Sequence, residues 1–242
     1  MPRTARVVVP EVSLHIVQRG HGRHDCFFEE GDYAAYLGYL REFAMRFGCS
    51  VHAYCLMTNH VHLLLTPHVP DACGLAMKYT AQHYSNRINK RLQRSGTLWE
   101  GRYYSCLVPV ERYALACYRY IELNPVEAAM VKHPADYRWS SYASNVQANN
   151  AGFLRPHPAY EALGQDPATR ASAYVELFDV PLERSLVDEI RKATRGGYLL
   201  GAERKPRGRP PSERKIGTVL DCPYLVRRLF PAPGRKPCPC SA

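Results

Sequence analysis

Apolar and polar positions along the chain follow two periods, and each change of period marks an element. Val12-Ser-Leu-His-Ile-Val-Gln18 changes character residue by residue, as a first β-strand does. From Asp32 to Phe47, apolar residues (Tyr33, Tyr36, Leu37, Leu40, Phe43, Ala44, Phe47) recur at helical spacing. This predicts an amphipathic helix capped by Asp32 and ended at Gly48. Cys49–Met57 and His60–Thr66 read as two strands joined at Thr58-Asn59, a hairpin-like unit. Asp71–Leu92 predicts a second helix with Leu75, Ala76, Tyr79, His83 and Ile88 on its apolar side. Lys78, Arg87, Lys90, Arg91 and Arg94 mark the outer side, and Gly96 ends the segment. Trp99–Val108 predicts a fourth strand closed by Pro109. Glu111–Leu123 predicts a third helix that stops at Asn124-Pro125, because a residue before proline is pushed out of the α region.

The order β-α-β-β-α-β followed by a helix predicts an α+β protein, a ferredoxin-like antiparallel sheet with helices on one face. After Tyr142 the pattern changes. Residues 143–160 read as loop, and two short helices are expected around Ala168–Phe178 and Leu182–Thr194. Arg204–Lys215 is too charged and too rich in Pro and Gly to pack, which predicts a flexible basic arm. Leu220–Phe230 is one short apolar piece before a proline-rich end. The expected organisation is a domain over residues 1–145, a helical extension over 146–203 and a basic tail over 204–242.

Charge narrows the partners. The 242 residues carry 32 Lys and Arg against 22 acids, a formal net charge of +10. Such an excess suits a polyanion, nucleic acid first and an anionic membrane surface second. No apolar run approaches the ~20 residues of a membrane span, and the N-terminal apolar stretch is short for a signal peptide. Nine cysteines form an odd set, mostly inside apolar or helical patterns. They read as reduced thiols of a cytoplasmic, nucleoid-associated protein. Cys238-Pro-Cys240 could join a metal site, but flexible tail is the better reading.

The candidate chemistry lies in Tyr54-Cys-Leu-Met-Thr-Asn-His-Val-His-Leu-Leu-Leu-Thr66. On a strand, His60 and His62 project from one face about 7 Å apart, a ready pair of metal ligands. Sixty residues on, Tyr120 and Asn124 stand at i, i+4 and so share a helical face. Were that face to meet the histidines, two imidazoles, an amide oxygen and a phenol would converge, a set able to support phosphoryl transfer. Tyr120 as an ordinary aromatic knob is the competing reading. Arg19-Gly-His-Gly-Arg-His24 is a basic loop suited either to phosphate oxygens or to a plain surface turn. Arg102 and Arg112 are further candidate phosphate contacts.

Four stretches in this order carry a resemblance: Tyr54–Leu65, Leu98-Trp-Glu-Gly-Arg-Tyr103, Tyr120-Ile-Glu-Leu-Asn-Pro-Val-Glu-Ala-Ala-Met-Val131 and Tyr137-Arg-Trp-Ser-Ser-Tyr142. Over residues 12–145 the chain resembles the single-tyrosine HUH transposases, specifically REP-associated tyrosine transposases. The resemblance implies the HUH nuclease fold, a divalent ion (Mg²⁺ or Mn²⁺) on His60, His62 and Asn124, and Tyr120 as nucleophile, with Tyr118 as alternative if the helix is offset. It also implies cleavage and rejoining of single-stranded palindromic hairpin DNA through a 5′-phosphotyrosine, by a monomer or homodimer. Thr58 stands where the family usually has Pro, and Glu127 where it usually has a basic residue. A domesticated hairpin-binding protein without cleavage activity and a metal-dependent hydrolase using water are the competing functions. Arg207-Gly-Arg-Pro210 matches the core of an AT-hook, whose arginines (Arg207, Arg209) would enter a narrow minor groove. A generic basic linker accounts for the same four residues.

Overall fold

A computed structural model describes residues 6–147 and 152–202. The basic arm, with Arg207 and Arg209, and Leu220–Phe230 lie outside the described residues. The strands are β1 (Ser13–Arg19), β2 (Cys49–Met57), β3 (His60–Pro67) and β4 (Tyr104–Val108). The principal helices are α1 (Glu30–Phe47), α2 (Ala72–Arg91) and α3 (Glu111–Glu122), followed by a single turn, α4 (Asn124–Glu127). Four more follow: α5 (Tyr142–Val146), α6 (Pro158–Glu161), α7 (Pro167–Glu176) and α8 (Arg184–Gly196).

The four strands form one antiparallel sheet in the order β2-β3-β1-β4, the ferredoxin-like arrangement expected from the sequence. α1 and α2 pack against each other on one face, over Leu14, Ile16, Leu63 and Leu65. Strand alternation sends His15, His62, Leu64 and Cys106 to the other face. That face is not open. α3 covers the β2–β3 side and α8 the β4 side, so the expected extension completes a second hydrophobic core. Burial of Tyr118, Tyr142, Tyr160, Tyr174, Ile190 and Leu200 there is what ties residues 158–200 to the sheet.

Several boundaries differ from those the pattern predicts: residues 143–160, read as loop, include most of α5 and part of α6, and Asn124 and Pro125 open the turn α4 directly after α3, because proline is tolerated in the first turn of a helix. α1 begins before Asp32, which sits at the third helical position rather than the cap. Its carboxylate accepts from the backbone N–H groups of Phe28 (2.9 Å) and Glu29 (3.2 Å), closing a capping box with Glu29. The C-terminus matches expectation: Gly48 takes the left-handed conformation at φ 76°. β4 begins at Tyr104, not Trp99. Trp99 instead donates its indole N–H to the Ala81 carbonyl at 3.2 Å and packs against Tyr36 and Tyr84. No helix among the described residues is long and apolar enough to cross a membrane.

Candidate active site

β3 places His60 and His62 on one face of the sheet, with ring centroids 4.9 Å apart. The Asn59 amide nitrogen donates to the Arg23 carbonyl at 3.0 Å, and its oxygen lies 2.6 Å from His60 Nδ1. His62 is 3 % exposed, and its Nδ1 lies 3.2 Å from Nε2 of His15, a neighbour on β1. His15 Nδ1 reaches the Thr194 hydroxyl of α8 at 2.8 Å, and that hydroxyl donates to the Ile190 carbonyl at 2.8 Å. Burial pushes His60 down to about 4 and His15 to about 3, and carries His62 well below the ordinary histidine range. The neighbouring Arg19 charge adds to the depression at His60, as do His60, His15, Arg19 and Arg191 at His62. All three rings are therefore neutral at neutral pH, the form in which imidazole binds metals.

α3 runs across this face and brings Tyr120 against the pair. Its ring centroid lies 5.6 Å from that of His62 and 5.5 Å from that of His15, both nearly perpendicular. Tyr118, two residues earlier, points the opposite way. It is fully buried between Tyr160 and Tyr174, and its hydroxyl accepts from the His157 N–H at 3.3 Å. A helix turns about 200° in two residues, so only one of these tyrosines can face the histidines. Burial raises the Tyr120 phenol above its ordinary pKa. The adjacent Arg191 guanidinium and the charge of Arg195 oppose that rise. The Arg191 guanidinium carbon stands 5.9 Å from the Tyr120 ring centroid.

Asn124 begins the turn after α3, and its amide nitrogen donates back to the carbonyls of Tyr120 (2.6 Å) and Ile121 (3.3 Å). Only the nitrogen can face two carbonyls, so the amide oxygen points away from the helix. The donor chemistry fits a divalent cation in part: two neutral imidazoles side by side, with an amide oxygen one helical turn from the phenol. Among the described residues no cluster of three or more His, Cys, Asp or Glu side chains is able to hold a metal ion.

The candidate phosphate contacts divide. Arg19 pairs with His60 in the β1–β3 register, and its charge acts on both histidines. Arg23 is exposed at φ 63° in the turn after β1. Gly20 is required there, because a Cβ would lie 2.3 Å from the His24 carbonyl oxygen. Arg102 is exposed before β4. The side chain of Arg112 lies outside the described residues. Sequence reasoning missed His15, Arg191 and Thr194. Period-two alternation marks the face that His15 occupies, but no local signal pairs β1 with β3 or lays α8 across them.

The model of a family described as "Transposase IS200 like" matches residues 8–124, a span that includes His60, His62, Tyr120 and Asn124. A curated Haemophilus influenzae protein, itself a candidate REP-associated tyrosine transposase, is 24% identical over 106 residues, 40% of this chain. That match spans 60% of the relative's length, so the chain covers less than two thirds of it. A solved structure of a REP-associated tyrosine transposase bound to a REP hairpin superposes with a TM-score of 0.55 at 14% identity. The likeness covers 66% of this chain and 93% of that one, and it speaks to the fold. Over residues 8–124, just under half of its length, the chain is similar to the IS200-like transposases, and the curated relative and the solved structure that resemble it carry the name of REP-associated tyrosine transposases.

Proposed function

We propose that the protein is a single-tyrosine DNA strand transferase that cleaves and rejoins single-stranded hairpin DNA of the REP type. The observation that carries this reading is the Tyr120 ring 5.6 Å from His62, on the face that also bears His60. His60, His62 and the Asn124 oxygen would hold a divalent ion, Mg²⁺ or Mn²⁺. When bound, that ion supplies charge neutralisation at a non-bridging phosphate oxygen. Tyr120 attacks the phosphorus: the Tyr120 O–P bond forms, the P–O3′ bond breaks, and the 3′ oxygen leaves protonated as a hydroxyl while the phenol gives up its proton. The product is a 5′-phosphotyrosine, which a 3′-hydroxyl resolves by the reverse displacement. Arg191, whose guanidinium stands 5.9 Å from the Tyr120 ring centroid, favours the phenolate by its charge. Arg19, Arg23 and Arg102 supply positive charge for the DNA backbone near the site, consistent with the net charge of +10.

A second reading, hairpin binding without cleavage, is favoured by the burial of Tyr120, which is 8 % exposed. A labelled single-stranded hairpin with Mg²⁺ or Mn²⁺ separates the two. Strand transfer predicts cleavage and a covalent protein–DNA adduct, both lost in Tyr120→Phe with binding retained. Cleavage that survives Tyr120→Phe points to a hydrolase using water, and no cleavage by the unmodified protein points to a binder.

A further inference from the structure

Two hydrogen-bond chains end on the histidine pair, and each is anchored at a backbone carbonyl, a group that can only accept. On one side the Arg23 carbonyl fixes the Asn59 amide, so the amide oxygen faces His60 and Nδ1 of His60 carries the proton. On the other side Thr194 donates its one hydroxyl proton to the Ile190 carbonyl. Toward His15 Nδ1 (2.8 Å) and the Cys106 thiol (3.3 Å) its oxygen can then only accept. Cys106 keeps a proton to donate, since burial pushes its thiol up to about 11. His15 Nδ1 is thus N–H, and in a neutral ring Nε2 is then the acceptor. The 3.2 Å contact to His62 makes His62 Nδ1 the donor. His15 is 1 % exposed, and among the described residues no carboxylate acts on either ring.

We infer that Thr194 and His15 are positioning residues that hold His62 in its Nδ1–H tautomer, as Asn59 holds His60, leaving Nε2 of both rings bare. This matters because free histidine in water favours the opposite, Nε2–H form. The relay deepens the metal-site reading proposed above and rests on it for its purpose. It also extends the machinery to α8, beyond residues 8–124. Hydrogen-bond partners of this kind fix the ring of a ligating histidine and raise its basicity.

Long-range ¹H–¹⁵N correlation spectra of the full chain, labelled at histidine and free of metal, read the tautomers directly. Nδ1–H patterns are expected for both His60 and His62. Thr194→Val keeps the shape and removes the hydroxyl. It is expected to move His62 toward the Nε2–H form and to weaken Mn²⁺ binding, read by electron paramagnetic resonance, by roughly 10–100-fold. Thr194→Ser is expected to preserve both. An Nε2–H His62 in the unmodified protein overturns the relay even if the valine variant does not fold. An unchanged His62 tautomer in folded Thr194→Val overturns it as well. Nδ1–H histidines in an unmodified protein that binds no Mn²⁺ would uphold the relay and remove the metal reading.

Discussion

Arg91, in the last turn of α2, reaches the buried Asp32 of α1 with Nη2 2.6 Å from Oδ2. Asp32 is fully buried while Arg91 keeps about a third of its side chain in solvent. Removing the partner leaves a carboxylate with backbone donors on one oxygen and none on Oδ1. Arg91→Ala is therefore expected to destabilise the fold by about 2 kcal/mol, below the ~3–5 kcal/mol of a fully buried pair because solvent reaches the guanidinium. Urea unfolding checks this, and a change under about 0.5 kcal/mol contradicts it.

Glu122, between Tyr120 and Asn124 on α3, is buried and accepts from Ser141 (2.5 Å), Asn145 (2.8 Å) and Tyr174 (2.6 Å). Burial raises its carboxyl to about 7 despite those donors. An acid raised in the folded state contributes stability that is full below its unfolded pKa and fades as pH climbs through the folded one. The stability difference between the unmodified protein and Glu122→Gln is therefore expected to shift toward the variant between about pH 4.5 and pH 7. A pH-independent difference would contradict the assignment.

His52 titrates with the opposite sign. It is buried on β2 between the Arg155 carbonyl (2.6 Å) and the Thr66 hydroxyl (2.7 Å), and burial lowers it to about 4. Its contribution is present above pH 6.5 and is lost as pH falls toward 4, by up to about 3 kcal/mol. Chemical unfolding of His52→Gln across that range is expected to show a shallower acid loss than the unmodified protein.

Arg191→Ala removes the guanidinium that stands 5.9 Å from the Tyr120 ring centroid and favours the phenolate. Cleavage of a labelled hairpin is expected to slow by roughly 100-fold with hairpin affinity changed far less, since one charged donor at a reacting oxygen is worth about that much. Arg191→Lys should recover part of the rate. Equal losses in binding and cleavage would place Arg191 among the DNA contacts instead.

Much of this arrangement was legible in the residues themselves. Alternation in β1 and β3 and the 3.6-residue period of α1 and α2 are local signals, and the elements follow them, whereas Asn124 and Pro125 open a further helical turn where the pattern predicted a stop. His60 and His62 share a face for the same local reason. What stayed hidden depends on contacts between distant segments. Arg91 reads as one more solvated charge on α2 until α1 arrives with Asp32. His15 reads as an ordinary strand residue until β3 and α8 flank it. Trp99 has strand character in sequence, but the aromatic cluster of Tyr36 and Tyr84 claims it first.

α8 touches β4 and β1 along its length, and the Leu200 N–H that follows it donates to the Leu107 carbonyl at 2.9 Å. A protein trimmed to residues 8–124 would strip the lining from half of its own sheet. Cys106, Val108 and Cys117 would meet water, and the tyrosine would lose its arginine in the same cut. Shortened versions made for crystallisation or delivery should keep residues 125–202 rather than stop at the edge of the matched segment.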